Sequence, residues 1–230
     1  MQSAFVIIVA AGAGSRMQEN IPKQFLLLNK KPVLMHTIEK FCNLSFNPEI
    51  IVVLSKEMED YWKNLCKKYD FSISHTIVFG GKSRFQSVKN GIEYIIDKSE
   101  ISINSKILVH DGARPLVSRK LLEDLFHVCQ GNKKAVIPAV KSINSIRIGS
   151  EAHNNSCDRE TVWQVQTPQI FDANLLIEAY KQPEIKEFTD DASVVEKMSN
   201  QIFLYQGDQW NIKITYKEDL EIAHFLIKSI

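Results

Sequence analysis

The sequence predicts an α/β protein: a three-layer, Rossmann-like arrangement in which a mostly parallel twisted sheet carries helices on both faces. Three observations support it. Short, continuous apolar runs rich in β-branched residues recur along the chain, ended by glycine or a polar turn. Segments with helical apolar spacing lie between them. From Phe5 to Val140 the two kinds alternate without a break.

Phe5 to Ala10 is the first strand-like run, stopped by Gly12 and Gly14. Leu34, Ile38, Phe41 and Cys42 then share one helical face. Ile50 to Leu54 is the second strand, followed by a helix carrying Met58, Trp62, Leu65, Cys66 and Tyr69 on one side. Thr76 to Phe79 is the third, closed by Gly80 and Gly81 ahead of a stripe of Val88, Ile92, Ile95 and Ile96. Ile107 to Val109 is the fourth; its helix repeats Leu121, Leu122, Leu125, Phe126 and Cys129 behind Ser118, a suitable N-cap. Ala135 to Val140 is the fifth. Residues 141–160 break the rhythm with Ser, Asn, Gly and His, which fits a surface loop or a protruding hairpin arm. Thr161 to Val165, Ile202 to Tyr205 and Ile212 to Thr215 read as strands. Asp190 caps a helix running through Met198, and Glu218 to Ile227 closes the chain as a helix.

Residues 1–230 are expected to form a single domain. With 44% apolar residues, 24% charged residues and a formal net charge of +1, bulk charge favours no polyanionic partner, and no basic stripe or aromatic platform suggests nucleic acid. The four cysteines, Cys42, Cys66, Cys129 and Cys157, are far apart without a C-x-x-C, which argues against a zinc or disulfide framework and fits a reducing compartment. The apolar opening from Ala4 to Ala13 has no Lys or Arg before it and runs into a glycine turn, so it reads as a buried strand rather than a leader. No apolar run reaches the roughly 18 residues of a membrane span. A cytoplasmic protein with no membrane contact is the expectation.

Four motifs carry the chemistry. Ala10-Ala11-Gly12-Ala13-Gly14-Ser15-Arg16-Met17 follows the first strand, with Pro22-Lys23-Gln24 beyond. Small residues there let backbone N–H groups approach phosphate oxygens, with Arg16 and Lys23 adding charge; a plain tight βα turn would use the same small residues. The dinucleotide fingerprint fails because Met17 stands where a third glycine is needed, and a phosphate loop ending in Gly81-Lys82-Ser83 lacks its first glycine at Thr76. His110-Asp111-Gly112-Ala113-Arg114-Pro115 follows the fourth strand: Asp111 suits a magnesium ligand or a turn cap, Arg114 a phosphate grip, His110 packing. Gly80 to Ser87 suits a base or ribose, or an N-capped helix start. Arg159, Thr167-Pro168-Gln169, Thr189-Asp190-Asp191-Ala192-Ser193 and Lys213 form a late group, in which Lys213 suits a second phosphate or plain solvation.

In this order the motifs resemble the nucleotidyltransferases of the sugar-nucleotide fold and, within them, the methylerythritol-phosphate cytidylyltransferase family, over about residues 4–227. The resemblance implies CTP as substrate, a magnesium ion held by Asp111, and a homodimer whose arm, here 141–160, reaches the partner's active site. It assigns Arg16 and Lys23 to the transition state at the α-phosphate, and Arg159 and Lys213 to positioning the methylerythritol phosphate. Asp111, Arg114, Ser142 and Thr167 would help hold that acceptor. Ala10, Ala11, Gly12, Gly14, Gly81, Lys82, Ser87 and Ala113 fall in the nucleotide cradle. The chain departs from the family pattern at Gly112 for a usual alanine, Lys141 for aspartate, Ser142 for threonine, and Lys82 for an acidic or polar residue. The implied reaction is in-line attack of the acceptor phosphate on the α-phosphorus of CTP, with pyrophosphate leaving. The alternatives are ribitol 5-phosphate or another polyol phosphate as acceptor, or a nucleotide-binding regulator without catalysis.

Overall fold

The computed structural model describes residues 3–12 and 21–228. The central strand is β1 (Ala4–Val9), flanked in parallel by β4 (Glu49–Leu54) and β6 (Lys106–Asp111). Beyond β4 lies β5 (Thr76–Phe79), also parallel. Beyond β6 lies β11 (Gln169–Asp172), antiparallel to β6 and to β7 (Ala135–Lys141). The short β10 (Trp163–Val165) continues that antiparallel pairing along β7, and β12 (Phe203–Gln206) pairs β7 in parallel. A separate small hairpin, β2 (Leu27–Leu28) with β3 (Lys31–Pro32), precedes the first helix.

Strand alternation feeds two cores. Val6 and Ile8 of β1, with Ile50, Val52 and Leu54 of β4, face α1 (Val33–Lys40), α2 (Glu59–Lys68) and α4 (Arg119–Val128), where Met35, Trp62 and Leu122 are fully buried. Phe5, Ile7, Ile51 and Val53 face the other way, toward α3 (Arg84–Lys98), α5 (Ala173–Ala179) and α6 (Asp191–Glu196). These strands are buried on both faces, so their sequences read as continuous apolar runs. A third cluster of Leu28, Val33, Leu116, Ile214 and Ala223 seats α7 (Lys217–Leu226).

Most predicted elements lie where expected, and the Ser118 hydroxyl accepts from Leu121 N at 3.3 Å as the cap of α4. Three readings are corrected. Residues 212–215 form no strand: Ile214 N donates to Ala113 O at 2.9 Å, and Ile214 is pulled into the third core instead of onto a strand edge. Thr161 belongs to a 3-10 turn at Arg159–Thr161, leaving a shorter β10. The helix capped by Asp190 ends at Glu196, short of Met198. The polar stretch is a hairpin arm, β8 (Ile146–Gly149) against β9 (Asn154–Cys157), with Ile143 and Ile148 exposed on it.

The chain winds from β1 outward to β4 and β5, then returns through α3 to β6 on the opposite side of β1. That reversal opens a crevice beyond the carboxyl ends of β1 and β6, where open α/β sheets bind ligands.

Candidate active site

A cavity of about 400 Å³ fills this crevice. Ala10, Ala11 and Gly12 form one wall as the chain leaves β1, and the side-chain amide of Gln24 pins them, donating to Ala10 O at 2.6 Å and Gly12 O at 3.2 Å. Lys23, beside Gln24, lines the cavity. The β5–α3 turn supplies Gly81, Lys82 and Ser83, and the start of α3 supplies Arg84 and Ser87. The Ser87 hydroxyl donates to Ser83 O at 2.8 Å and accepts from Gly81 N at 3.2 Å, so it fastens the turn it was expected to present to a ligand. Gly80 is required by proximity: a Cβ there would lie 2.5 Å from Ala11 Cβ and 2.9 Å from Ser87 Oγ. This contact brings the two cavity-lining turns together. Asp111 and Ala113 at the end of β6, with Lys213 and Thr215, complete the lining.

Asp111 is the electrostatic centre. Lys213 Nζ lies 2.7 Å from Oδ2, Arg114 Nε 3.8 Å from the same oxygen, and Arg84 Nε 3.7 Å from Oδ1. Burial pushes the Asp111 carboxyl upward, but Arg84, Lys213 and Arg114 outweigh it and hold it well below the usual carboxylate range. The group is therefore a fixed anion. Its backbone N–H donates to Thr167 Oγ at 3.0 Å. His110 Nε2 lies 3.1 Å from Arg114 O and must donate to it, so Nδ1, 3.1 Å from Thr167 Oγ, accepts the threonine proton. Burial lowers the His110 pKa to about 4, which keeps the ring neutral in this chain of bonds.

A second cavity of about 400 Å³ adjoins the first and is lined by Arg114, Lys141, Gln166, Asn211 and Lys213 among others. Lys213 faces both cavities. Arg114 Nη1 donates to Asn211 O at 2.6 Å and Asn211 Nδ2 to Thr167 O at 2.8 Å. Arg114 Nε and Asn211 Oδ1 are buried without hydrogen-bond partners among the described residues. Unsatisfied polar groups are costly in a settled interior and ordinary beside a ligand site.

The fold thus gathers Ala10, Ala11, Gly12, Lys23, Gly81, Lys82, Ser87, Asp111, Ala113 and Lys213 around one cleft, with Arg114 in the neighbouring cavity and Thr167 beneath Asp111. Arg16 and Gly14 lie outside the described residues. Two predicted residues do not join the cleft. Ser142 is buried at the base of the arm, donating to Asn144 O at 3.2 Å. Arg159 is exposed on the 3-10 turn, donating to Ile143 O at 3.2 Å and lying 3.7 Å from Glu160. Sequence reasoning missed Thr215, because that segment was read as a strand. It also missed the structural task of Gln24, for which only its place directly after Lys23 gave a hint.

Asp111 is the acidic residue in the first cavity's lining, and no cluster of three metal-ligating side chains occurs among the described residues. Magnesium needs no such cluster: one or two carboxylates plus substrate phosphates suffice. Asp111 fits, because its close cation contact is on Oδ2 while Arg84 stands back from Oδ1 at 3.7 Å.

A cationic cleft built around one fixed carboxylate, at the switch point of an open sheet and continuous with a second polar cavity, suits the meeting of two phosphorylated molecules. Fold and site together define the class: an α/β nucleotidyltransferase. The family model described as 2-C-methyl-D-erythritol 4-phosphate cytidylyltransferase matches residues 4–229, and the chain belongs to that family. The 2-C-methyl-D-erythritol 4-phosphate cytidylyltransferase of Phocaeicola vulgatus is 45% identical over 96% of this chain and 98% of its own length. That of Azobacteroides pseudotrichonymphae is 44% identical over 99% and 100%. The crystal structure of 4-diphosphocytidyl-2C-methyl-D-erythritol synthase from Anaerococcus prevotii superposes with a TM-score of 0.80 at 28% identity, covering 99% of this chain and 96% of that one.

Proposed function

We propose that this cytidylyltransferase joins CTP to 2-C-methyl-D-erythritol 4-phosphate, giving 4-diphosphocytidyl-2-C-methyl-D-erythritol and pyrophosphate in the non-mevalonate route to isoprenoid precursors. The observation that carries this reading is Lys213: it lies 2.7 Å from Asp111 and lines both cavities, so one cation serves the boundary where two phosphates must meet.

CTP occupies the first cavity, its base and ribose against Ala10, Ala11, Gly12 and the Gly81–Ser87 turn. Lys23, with Arg16, balances charge on the α-phosphate as the fifth bond forms. The acceptor occupies the second cavity, its phosphate near Lys213 and Arg114. Both reactants are anions, so preset cations in a water-poor cleft lower the barrier most effectively. No side chain acts as a strong base, because the acceptor phosphate is already ionised. Asp111 would hold the magnesium ion, which when bound supplies further neutralisation of the triphosphate. The enzyme works as a homodimer of single-domain protomers in the cytoplasm, with the arm of one protomer delivering Arg159 to its partner's acceptor site. No helix among the described residues is long and apolar enough to cross a membrane.

Pyrophosphate release with CTP and magnesium, offering methylerythritol phosphate and ribitol 5-phosphate in parallel, tests the reading. Fast release with the first is expected. Preference for the second would overturn the acceptor and keep the chemistry.

A further inference from the structure

Asp191 lies outside the cleft lining and is fully buried at the start of α6. It takes both arms of Arg84, with Nη1 3.0 Å from Oδ1 and Nη2 2.6 Å from Oδ2. The Tyr180 hydroxyl donates to the same Oδ1 at 2.6 Å. Tyr180 is itself fixed by Phe85, whose ring stacks on it at 4.7 Å. Residues from the starts of α3 and α6 and the end of α5 thus converge on one carboxylate. Burial would lower the Arg84 pKa, but Asp191 and Asp111 raise it above the ordinary arginine range, so the guanidinium is a permanent cation.

The consequence falls on Asp111. Arg84 lines the nucleotide cavity, and its remaining nitrogen, Nε, stands 3.7 Å from Asp111 Oδ1, beyond a hydrogen bond. An arginine fork released beside a carboxylate closes on it in a bidentate pair. It would then compete for the carboxylate that Lys213 holds at 2.7 Å. We propose that Asp191 is a tether: by occupying the Arg84 fork, it stops that arginine from capturing Asp111 and leaves Oδ1 turned to the cleft. Asp191 is a positioning residue and touches no substrate. The inference rests on the cytidylyl-transfer reading of the cleft.

Asp191→Asn keeps the shape and removes the charge. It is expected to lower kcat about tenfold while KM for CTP stays within about twofold. Arg84→Gln/Asp191→Asn removes the captor as well and is expected to recover most of the lost kcat. Tyr180→Phe, which keeps the ring stack and drops one bond to Asp191, is expected to lower kcat about twofold. A crystal structure of Asp191→Asn reads the tether without turnover, and Arg84 is expected within hydrogen-bond distance of Asp111. An Asn variant with unchanged kcat, a double variant no better than the single one, a rise confined to KM, or a guanidinium that stays in place would each overturn the tether. If Asp191→Asn does not fold, the same structural and kinetic comparison on Tyr180→Phe decides, with an unmoved guanidinium and unchanged kcat overturning it. Absence of pyrophosphate release by the wild-type enzyme would count against the cytidylyl-transfer reading alone, since the structural readout judges the tether separately.

Discussion

The cleft and the arm spend charge in opposite ways. In the cleft, the Asp111 side chain is only 12% exposed and faces Lys213, Arg84 and Arg114, with its backbone bonded to Thr167. In the arm, Lys141 and Glu160 pair at 3.1 Å with side chains 50% and 63% exposed. Buried charge is expensive unless fully partnered, so the cleft arrangement is fixed and cooperative. Exposed pairs are screened by water and exchange partners at little cost. A preset field at a reaction centre requires the first kind. A hairpin standing in water tolerates the second.

The comparison breaks most visibly at Lys213. Lys213→Ala removes a cation that lines both cavities and, among the described residues, the one closest to Asp111. Turnover is expected to fall on the order of 10²–10³-fold, as for other preset electrostatic groups, while the far-ultraviolet circular dichroism spectrum stays native. Steady-state pyrophosphate release measures it. A loss below about threefold would remove Lys213 from the reaction centre.

Acid sharpens the same contrast. His110 is held neutral with a pKa of about 4, whereas an unfolded histidine titrates near about 6.5. Between these values the unfolded chain binds more protons than the folded one, so stability is full above about pH 6.5 and falls as pH drops toward 4. His36 and His75, both lowered by burial, add in the same direction. Asp111 acts only at still lower pH: its depressed pKa gives stability that is present above the ordinary carboxylate range and lost below it. The melting temperature is expected to fall across pH 6 to 4 by an amount equivalent to a few kcal/mol. His110→Gln is expected to flatten that slope.

Thr167→Val takes away the hydroxyl that accepts from Asp111 N and donates to His110. Two buried polar groups then lose a partner, which costs about 1–3 kcal/mol each at most. Chemical denaturation is expected to show the lower midpoint, and a midpoint equal to wild type would mean that the two groups find other partners.

Gly112 tests how tightly the cleft floor is packed. A Cβ at this position would sit 3.0 Å from Ala10 Cβ and 3.1 Å from Val9 O. Gly112→Ala is expected to cost less than about 1.5 kcal/mol if the β1 end relaxes, and thermal melting measures it.

The parts of this machine that were legible in the sequence share one property: they repeat or sit at an element's end. Val6-Ile7-Ile8 reads as a strand because both faces are covered, and Asp111 stands out because it ends such a run. What stayed hidden depends on contacts between residues far apart in sequence. Ile214 looks like a strand residue until the Leu28–Ala223 cluster claims it. Arg84 and Asp191 are 107 positions apart, and no spacing rule joins them. Thr189 to Ser193 could be seen as a motif, but not as the anchor of an arginine in the cleft. The arm was visible only as a break in periodicity, because a hairpin of Asn, Ser and Arg standing in water needs no apolar pattern.

The smallest expected effect belongs to that arm. Glu160 bridges Lys141 at 3.1 Å and Arg159 at 3.7 Å, with all three side chains at least half exposed. Glu160→Gln removes both ion pairs and keeps the side chain's size. Because water already competes for each charge, the melting temperature is expected to move by about 1 °C or less, and less still at high salt. A drop of several degrees would show that this face is covered in solution, since an exposed pair cannot contribute that much. Glu160 would then lie inside the proposed contact with a second copy of the chain instead of at its open rim.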